Sequence, residues 1–192
     1  MFNIEDFMKK LLLLIIFCVL PFFAANAKKL TLTENNFEKG DFCIGPYAGV
    51  YHYLGYGLGV DAELAITDII GIGNISVGAD LSVGFQNDSW AYYGYYSSSI
   101  SYTDVNFYGY AAYHFKIIKN KMFDPYAKLG LGFSATSHSS VDPRYDKYYS
   151  YRSSLGVITV GEVGMRFFFS DNFAVRAFVG YPWLGVGADF KF

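Results

Sequence analysis

Leu184-Gly185-Val186-Gly187-Ala188-Asp189-Phe190-Lys191-Phe192 is the stretch on which the reading of the fold turns. In an extended chain Leu184, Val186, Ala188, Phe190 and Phe192 fall on one face, and Gly185, Gly187, Asp189 and Lys191 on the other. A period of two is the signature of a strand with one apolar and one polar face. Upstream, Phe173, Val175, Ala177, Val179 and Tyr181 alternate with Asn172, Arg176 and Gly180. Val157, Val163, Met165, Phe167 and Phe169 likewise stand against Gly156, Glu162, Gly164 and Arg166. Ala127, Leu129, Leu131, Phe133 and Ala135 alternate with Lys128, Gly130, Gly132 and Ser134, and the run 74–85 sets Ile75, Val77, Leu81 and Phe85 against Ser76, Asp80 and Gly84.

Carried along the chain, the pattern predicts eight strands, at 42–53, 56–67, 69–86, 101–116, 125–137, 154–169, 172–181 and 184–192. An even number suits an up-and-down antiparallel barrel that closes on itself. In a membrane barrel whose first strand starts at the periplasmic side, odd-to-even connections lie outside and are the longer ones. Connections 87–100 and 138–153 are both of that kind, while Thr67-Asp68 and Ser170-Asp171 are inner turns, and only 117–124 is long for its place. Aromatics should gather at the two membrane interfaces. Phe115, Phe123, Phe167, Phe169, Phe173, Phe190 and Phe192 fall at inner ends, and Tyr53, Tyr56, Trp90, Tyr102, Tyr181 and Trp183 near outer ends.

The N-terminal residues read differently. Met8-Lys9-Lys10 precedes the apolar run 11–23 and then Ala25-Asn26-Ala27. A positive start, a short apolar middle and a small-residue exit describe an export signal cleaved after Ala27, with translation starting at Met1 or at Met8. An anchoring helix would need about 20 apolar residues, more than this run supplies. Residues 28–40 then form a polar periplasmic segment and 41–192 the barrel. Beyond the signal Cys43 is the one cysteine, so no intrachain disulfide is expected there. The chain is 53% hydrophobic and 20% aromatic, yet has no second long apolar run, which excludes a helical membrane protein. Its net charge of −2 offers nothing to a nucleic acid. A soluble barrel would show the same alternation, but its polar face would carry Lys and Glu for water rather than Gly and Ser.

Gly187-Ala188-Asp189-Phe190-Lys191-Phe192 resembles the terminal signature of bacterial outer-membrane barrels: a glycine, then aromatics at alternate positions, ending in Phe. In size the chain resembles the small barrels of the OmpA, OmpX and opacity-protein superfamily. The resemblance implies a Gram-negative outer-membrane location among lipid and lipopolysaccharide, with Gly187, Phe190 and Phe192 as the signal read by the insertion machinery. Gly185, where the signature usually carries a polar residue, departs from it.

Eight strands leave a lumen just wide enough for side chains to fill it. Asp61, Glu63, Asp80, Asp104, His114, Lys128, Glu162, Arg166, Arg176 and Asp189 are placed inward, and charges so buried must pair. A tight turn at Pro182-Trp183 would set Tyr181 opposite Leu184 and hence Arg176 opposite Asp189. A short turn at Ser170-Asp171-Asn172 would set Phe169 opposite Phe173 and Arg166 beside Arg176, with Glu162 and Asp189 the nearest acids. The expectation is a plugged polar core rather than a porin-like channel.

Function is then expected in the outer connections. Trp90, Tyr92, Tyr93, Tyr95 and Tyr96 in 87–100, and Tyr145, Tyr148, Tyr149 and Tyr151 in 138–153, have binding-loop chemistry suited to host surface molecules. The same rings could equally extend the interfacial belt. His138-Ser139-Ser140, with Asp142 or Asp146 to orient the imidazole, resembles the His-x-Ser pair of lipid A deacylases, but nothing supports it rigidly and no enzyme is expected. Gly55-Tyr56-Gly57-Leu58-Gly59 looks like a nucleotide loop but lies within an alternating strand. His52, His114 and His138 lie on separate segments, so no metal or other cofactor is expected.

Overall fold

Eight antiparallel strands, each paired with its neighbours in sequence, close through β1 and β8 into a single barrel. They are β1 (Phe42–Tyr51), β2 (Gly55–Ala65), β3 (Gly73–Tyr92), β4 (Tyr96–Phe115), β5 (Phe123–Ser140), β6 (Ser154–Ser170), β7 (Phe173–Tyr181) and β8 (Trp183–Lys191). The computed structural model describes residues 36–51, 55–92, 96–140 and 154–192, with backbone alone at 88–92, 96–100 and 138–140. Residues 1–27, expected to be an export signal, Tyr53 and the tyrosines of 141–153 lie outside the described residues.

The alternation places its apolar face outward. Leu58, Leu81, Phe107, Leu131, Phe133 and Val186 are each more than half exposed, while Glu63, His114, Arg166 and Arg176 are 0–1% exposed. This inversion of a soluble core is what hydrocarbon requires on one side of each strand and a sealed polar core on the other. At the inner end the outward rings cluster: Tyr113 meets Phe115 on β4, and a chain of contacts runs across β5–β8 from Phe123 through Phe167, Phe169 and Phe173 to Phe190, at centroid separations of 4.6–6.2 Å.

Several boundaries differ from the expected ones: β1 and β2 end two residues early, at Tyr51 and Ala65, β5 runs on to Ser140, and three further differences bear on the site. Most of 87–100 is not a loop: β3 and β4 run on as a ladder to Tyr92 opposite Tyr96. Tyr and Ser in that stretch are compatible with strand or turn, and only the pairing partner decides between them. β5 begins at Phe123, which brings Asp124 into the barrel. β3 begins at Gly73 rather than residue 69, after a turn in which Gly71 holds φ 68° and the Tyr113 hydroxyl donates to the Ile70 carbonyl at 2.6 Å.

Glycines on the inner face answer to aromatic rings. A Cβ on Gly57 would stand 2.5 Å from the Trp183 indole and 3.0 Å from the Gly84 backbone, and one on Gly164 would stand 2.5 Å from the Tyr126 ring. The Gly55-Tyr56-Gly57-Leu58-Gly59 run is thus the start of strand β2, with Gly57 and Gly59 making room for the Trp183 and Tyr47 rings. Gly57→Val should cost about 1–3 kcal/mol by overpacking. Gly156→Val, where nothing lies within 4 Å, should be neutral. Urea unfolding of both variants in detergent micelles checks the contrast.

Candidate functional site

Strand β2 alternates Gly59, Asp61 and Glu63 into the lumen, and the cations that answer them come from the far side of the barrel. Asp61 Oδ1 accepts from Arg176 Nη1 at 2.7 Å and Asp61 Oδ2 from Lys128 Nζ at 2.9 Å. Glu63 accepts from Arg166 Nη2 and lies 2.6 Å from His114 Nε2. Arg166 also donates from Nε to Asp189 at 2.7 Å and stands 3.7 Å from Asp124. Lys128 reaches Glu162 at 3.4 Å and sits 4.0 Å from the Tyr110 ring centroid, a cation–π contact in a desolvated place. All of these charged side chains are buried.

Arg176 and Asp189 do meet, but diagonally, at 3.5 Å rather than as directly opposed residues. The register of β7 with β8 is shifted by two residues from the expected one: Val179, not Tyr181, faces Leu184, and Arg176 faces Gly187. Pro182 has no N–H to give a ladder, Tyr181 pairs instead with Gly161 of β6, and Trp183 turns into the lumen. A shift of two leaves every side chain on its face, so the inward set survives. Gly187 clears the space, since a Cβ there would lie 2.9 Å from Arg176 Nε. Arg166 lies beside Arg176 as expected, although a bulge between Phe168 and Ser170 sets Ser170, not Phe169, against Phe173. Glu162 is not an arginine partner; it takes Lys128 and the Tyr126 hydroxyl, and Asp61 and Glu63 serve the arginines.

Two like-charged neighbours are resolved by divergent partners. Asp61 and Asp80 face each other across β2 and β3, an arrangement that costs energy unless each carboxylate is turned to a different donor. Asp61 takes the two cations and the Tyr110 hydroxyl, whereas Asp80 accepts from the Tyr47 hydroxyl at 3.0 Å. Arg166 and Arg176 divide in the same way between Glu63 and Asp61, with Asp189 shared.

Ser76, His114 and Asp124 show spacings like those of a hydrolytic triad: Ser76 Oγ is 3.0 Å from His114 Nε2, and His114 Nδ1 is 2.9 Å from Asp124 Oδ2. Glu63 changes its meaning. It accepts the Ser76 hydroxyl and also lies against Nε2, so the ring faces a carboxylate on either side and has no lone pair directed at the serine. Ser76, His114 and Asp124 are all 0% exposed, and the group ties β2, β3, β4 and β5 together. Ser76 falls on the expected polar face but carries no charge to single it out, and Asp124 lies just before the expected start of β5.

Toward the outer end the lumen is filled by Tyr47, Tyr51, Phe178 and Trp183, and Trp183 is a core residue rather than part of the outer belt. Tyr47 packs edge-on against both Phe178 and Trp183 at 5.4 Å. Beyond this layer β3–β6 continue without their neighbours. The β2 ladder ends at Tyr56 opposite Phe85, and the β7 ladder at Tyr181 opposite Gly161. Residues 86–92 and 154–160 therefore bound a four-stranded sheet that extends about 20 Å along its strands beyond the closed barrel. Trp90, Tyr92 and Tyr96 lie on this extension, Tyr93 and Tyr95 in the connection outside the described residues, and His138 and Ser140 at the end of β5.

An apolar outer wall, a charged and filled interior and closed antiparallel topology define a transmembrane β-barrel of the bacterial outer membrane. The chain belongs to the outer membrane protein beta-barrel domain family, whose model matches residues 11–192. Among solved structures it is similar to the outer membrane protein OprG of Pseudomonas aeruginosa, at 12% identity over 83% of this chain and 99% of that one, with a TM-score of 0.52. It is also similar to Ail of Yersinia pestis, solved with the heparin analogue sucrose octasulfate, at 13% identity over 80% and 99% of the two chains and a TM-score of 0.48. The N-terminal barrel of P. aeruginosa OprF is 18% identical over 80% and 98%, with a TM-score of 0.44. At these identities the likeness is one of fold. No curated protein sequence matches the chain.

Removing Arg166 leaves Glu63, Asp124 and Asp189 short of a cation, so Arg166→Met should cost about 3–5 kcal/mol. Asp80→Asn keeps an acceptor for Tyr47 and removes the repulsion with Asp61, so it should shift stability by less than about 1 kcal/mol. Denaturant midpoints of the refolded variants read both.

Proposed function

We propose that this protein is a plugged outer-membrane scaffold that binds surface molecules of a host through the sheet formed by the outer parts of β3–β6. The observation that carries the reading is the division of the molecule. Its lumen is filled with interlocked ionic and aromatic side chains, while four of its eight strands continue outward as a sheet whose edges, 86–92 and 154–160, have no further strand partner among the described residues. Four strands of this length are more than barrel closure needs. A rigid sheet presents contact surface without the ordering cost of a mobile loop. The tyrosines at 92, 93, 95, 96, 145, 148, 149 and 151, with Trp90, supply amphipathic rings for contact. Ail carries a heparin analogue in its crystal, and a polyanionic surface glycan is one partner of the kind proposed.

Phe190 and Phe192, 46% and 74% exposed at the inner end of the lipid face, suit the insertion signal proposed for them. Gly187 has a second role, making room for Arg176 inside. The reading includes no hydrolase and no cofactor, and the surroundings are outer-membrane lipid and lipopolysaccharide.

Two measurements test it. Refolded protein in planar bilayers should show no steady large conductance, because the ionic network and the aromatic layer occupy the lumen; a porin-sized conductance overturns the plugged reading. Replacing residues 87–100 and residues 138–153 each by a two-residue turn should leave the folded barrel intact and abolish binding to host cells or sulfated glycans. Unchanged binding assigns contact to another surface and ends the proposal for this sheet.

A further inference from the structure

The residues leading into β1 do more than reach the first strand. Between Glu38 and Asp41 the chain makes a tight turn: the Asp41 N–H donates to the Glu38 carbonyl and the Glu38 N–H to the Asp41 carboxylate, both at 2.9 Å. Gly40 adopts φ 94°, a conformation that side-chain-bearing residues rarely take. The turn drives Phe37 into the inner mouth of the barrel, where it is completely buried. Its ring lies 4.7 Å from His114 and 5.0 Å from the Arg166 guanidinium carbon, and its carbonyl accepts from Asn74 Nδ2 at 3.3 Å. With Cys43, Ala65, Phe168 and Ala174 it forms an apolar layer at the inner end of the ionic network.

The end of this segment is pinned to β2, the Gly40 N–H donating to the Ala65 carbonyl at 2.9 Å and the Ala65 N–H to the Asp41 carbonyl at 3.0 Å, so residues 36–39 are the part that can release. Lys191 Nζ donates to the Asn36 carbonyl at 2.6 Å and to the Asp41 carboxylate at 3.1 Å, and Lys39 meets Asp68 at 2.9 Å in an exposed pair. The Lys39–Asp68 pair is at the surface, where such contacts are individually weak, and the Lys191 contacts are partly buried. What the segment covers is a set of buried charges that water would solvate well. Burial of one aromatic ring favours the closed position, and hydration of the arginine–carboxylate cluster favours the open one.

We propose that residues 36–39 are a releasable stopper of the periplasmic mouth that swings at Gly40, Phe37 its plug and Lys191 its latch. Closed, the stopper keeps periplasmic water and small solutes off the Arg166–Glu63–His114 cluster; released, it exposes that cluster and Cys43 to the periplasm while the barrel wall stays intact.

Cys43, 1% exposed in the layer that Phe37 completes, is a native reporter of this event. The folded full-length protein in detergent micelles is treated with methyl methanethiosulfonate, and modification of Cys43 is followed by peptide mapping against urea-unfolded protein. The native thiol should react slowly, Phe37→Ala should speed its reaction about tenfold or more, and Lys191→Met should speed it by a smaller factor. Phe178→Ala, which weakens the outer aromatic layer instead, should leave the rate unchanged. Equal acceleration by Phe178→Ala would show that protection is only global stability and overturns the proposal. So does a native-like rate in Phe37→Ala. If Phe37→Ala does not fold, folded Lys191→Met decides: a native rate sinks the latched stopper, and acceleration supports it.

Discussion

The ion pairs that cross the lumen are the constraint on which the barrel depends. Arg166 and Arg176 extend from β6 and β7 to Glu63 and Asp61 on β2, and Lys128 joins Asp61 from β5. Each pair spans the interior rather than linking adjacent strands, so the walls are held to one another and not only to their neighbours. Hydrogen-bonded ladders could close barrels of several widths. Charges buried at this depth are tolerable only at a spacing that lets every carboxylate meet a donor, and that spacing sets the bore. The cost of the arrangement is desolvation, and tyrosine hydroxyls reduce it: Tyr110, Tyr126 and Tyr47 donate to Asp61, Glu162 and Asp80 without adding further charge.

Once the bore is set, the rest of the interior follows from volume. Tyr47, Tyr51, Tyr126, Phe178 and Trp183 fill it only where a glycine on a facing strand gives way, as Gly59, Gly84, Gly164, Gly185 and Gly57 do. Small against large is how a narrow barrel reaches interior packing density. The outcome is a stack: an apolar layer at the inner mouth, the ionic network above it, and an aromatic layer toward the outside. A filled stack moves the functional question to the surfaces at either end. Outward, β3–β6 run beyond the closed wall; inward, a short leader folds back over the mouth.

The architecture was legible because hydrocarbon imposes a strict rule on each strand separately. With lipid on one side and a polar core on the other, alternation in 184–192 or 74–85 is a local property, and an even number of such segments implies closure. The expected contrast of long outer and short inner connections fails at 87–100, where only 93–95 separate β3 from β4, fewer residues than separate β2 from β3. Strand β4 was harder to read because Tyr108 and Tyr110 put aromatic rings inside while Phe107 puts one outside. The inward set of charges was legible for the same reason, since a register error of two residues leaves faces unchanged. That tolerance explains how Arg176 and Asp189 could be placed together correctly while their opposition across the ladder was not. Asp124 was lost to a strand boundary drawn two residues late, and Trp183 was assigned to the belt because a tryptophan at a strand end has the same local signature inside and out.

Strand number, faces and the residues that must avoid lipid are thus legible in the sequence alone, all consequences of a period-two rule acting along a single strand. Tertiary structure decided who pairs with whom. Arg166 and Glu63 are 103 residues apart, and Arg176 and Asp61 are 115. No periodicity reaches across such a separation, because the distance between those side chains depends on how all eight strands stagger and close. The same holds for the outer sheet and the inner stopper. Residues 87–100 look like a loop until β3 and β4 find each other, and Phe37 looks like part of a polar leader until a turn at Gly40 and the closed barrel provide a mouth for it to fill.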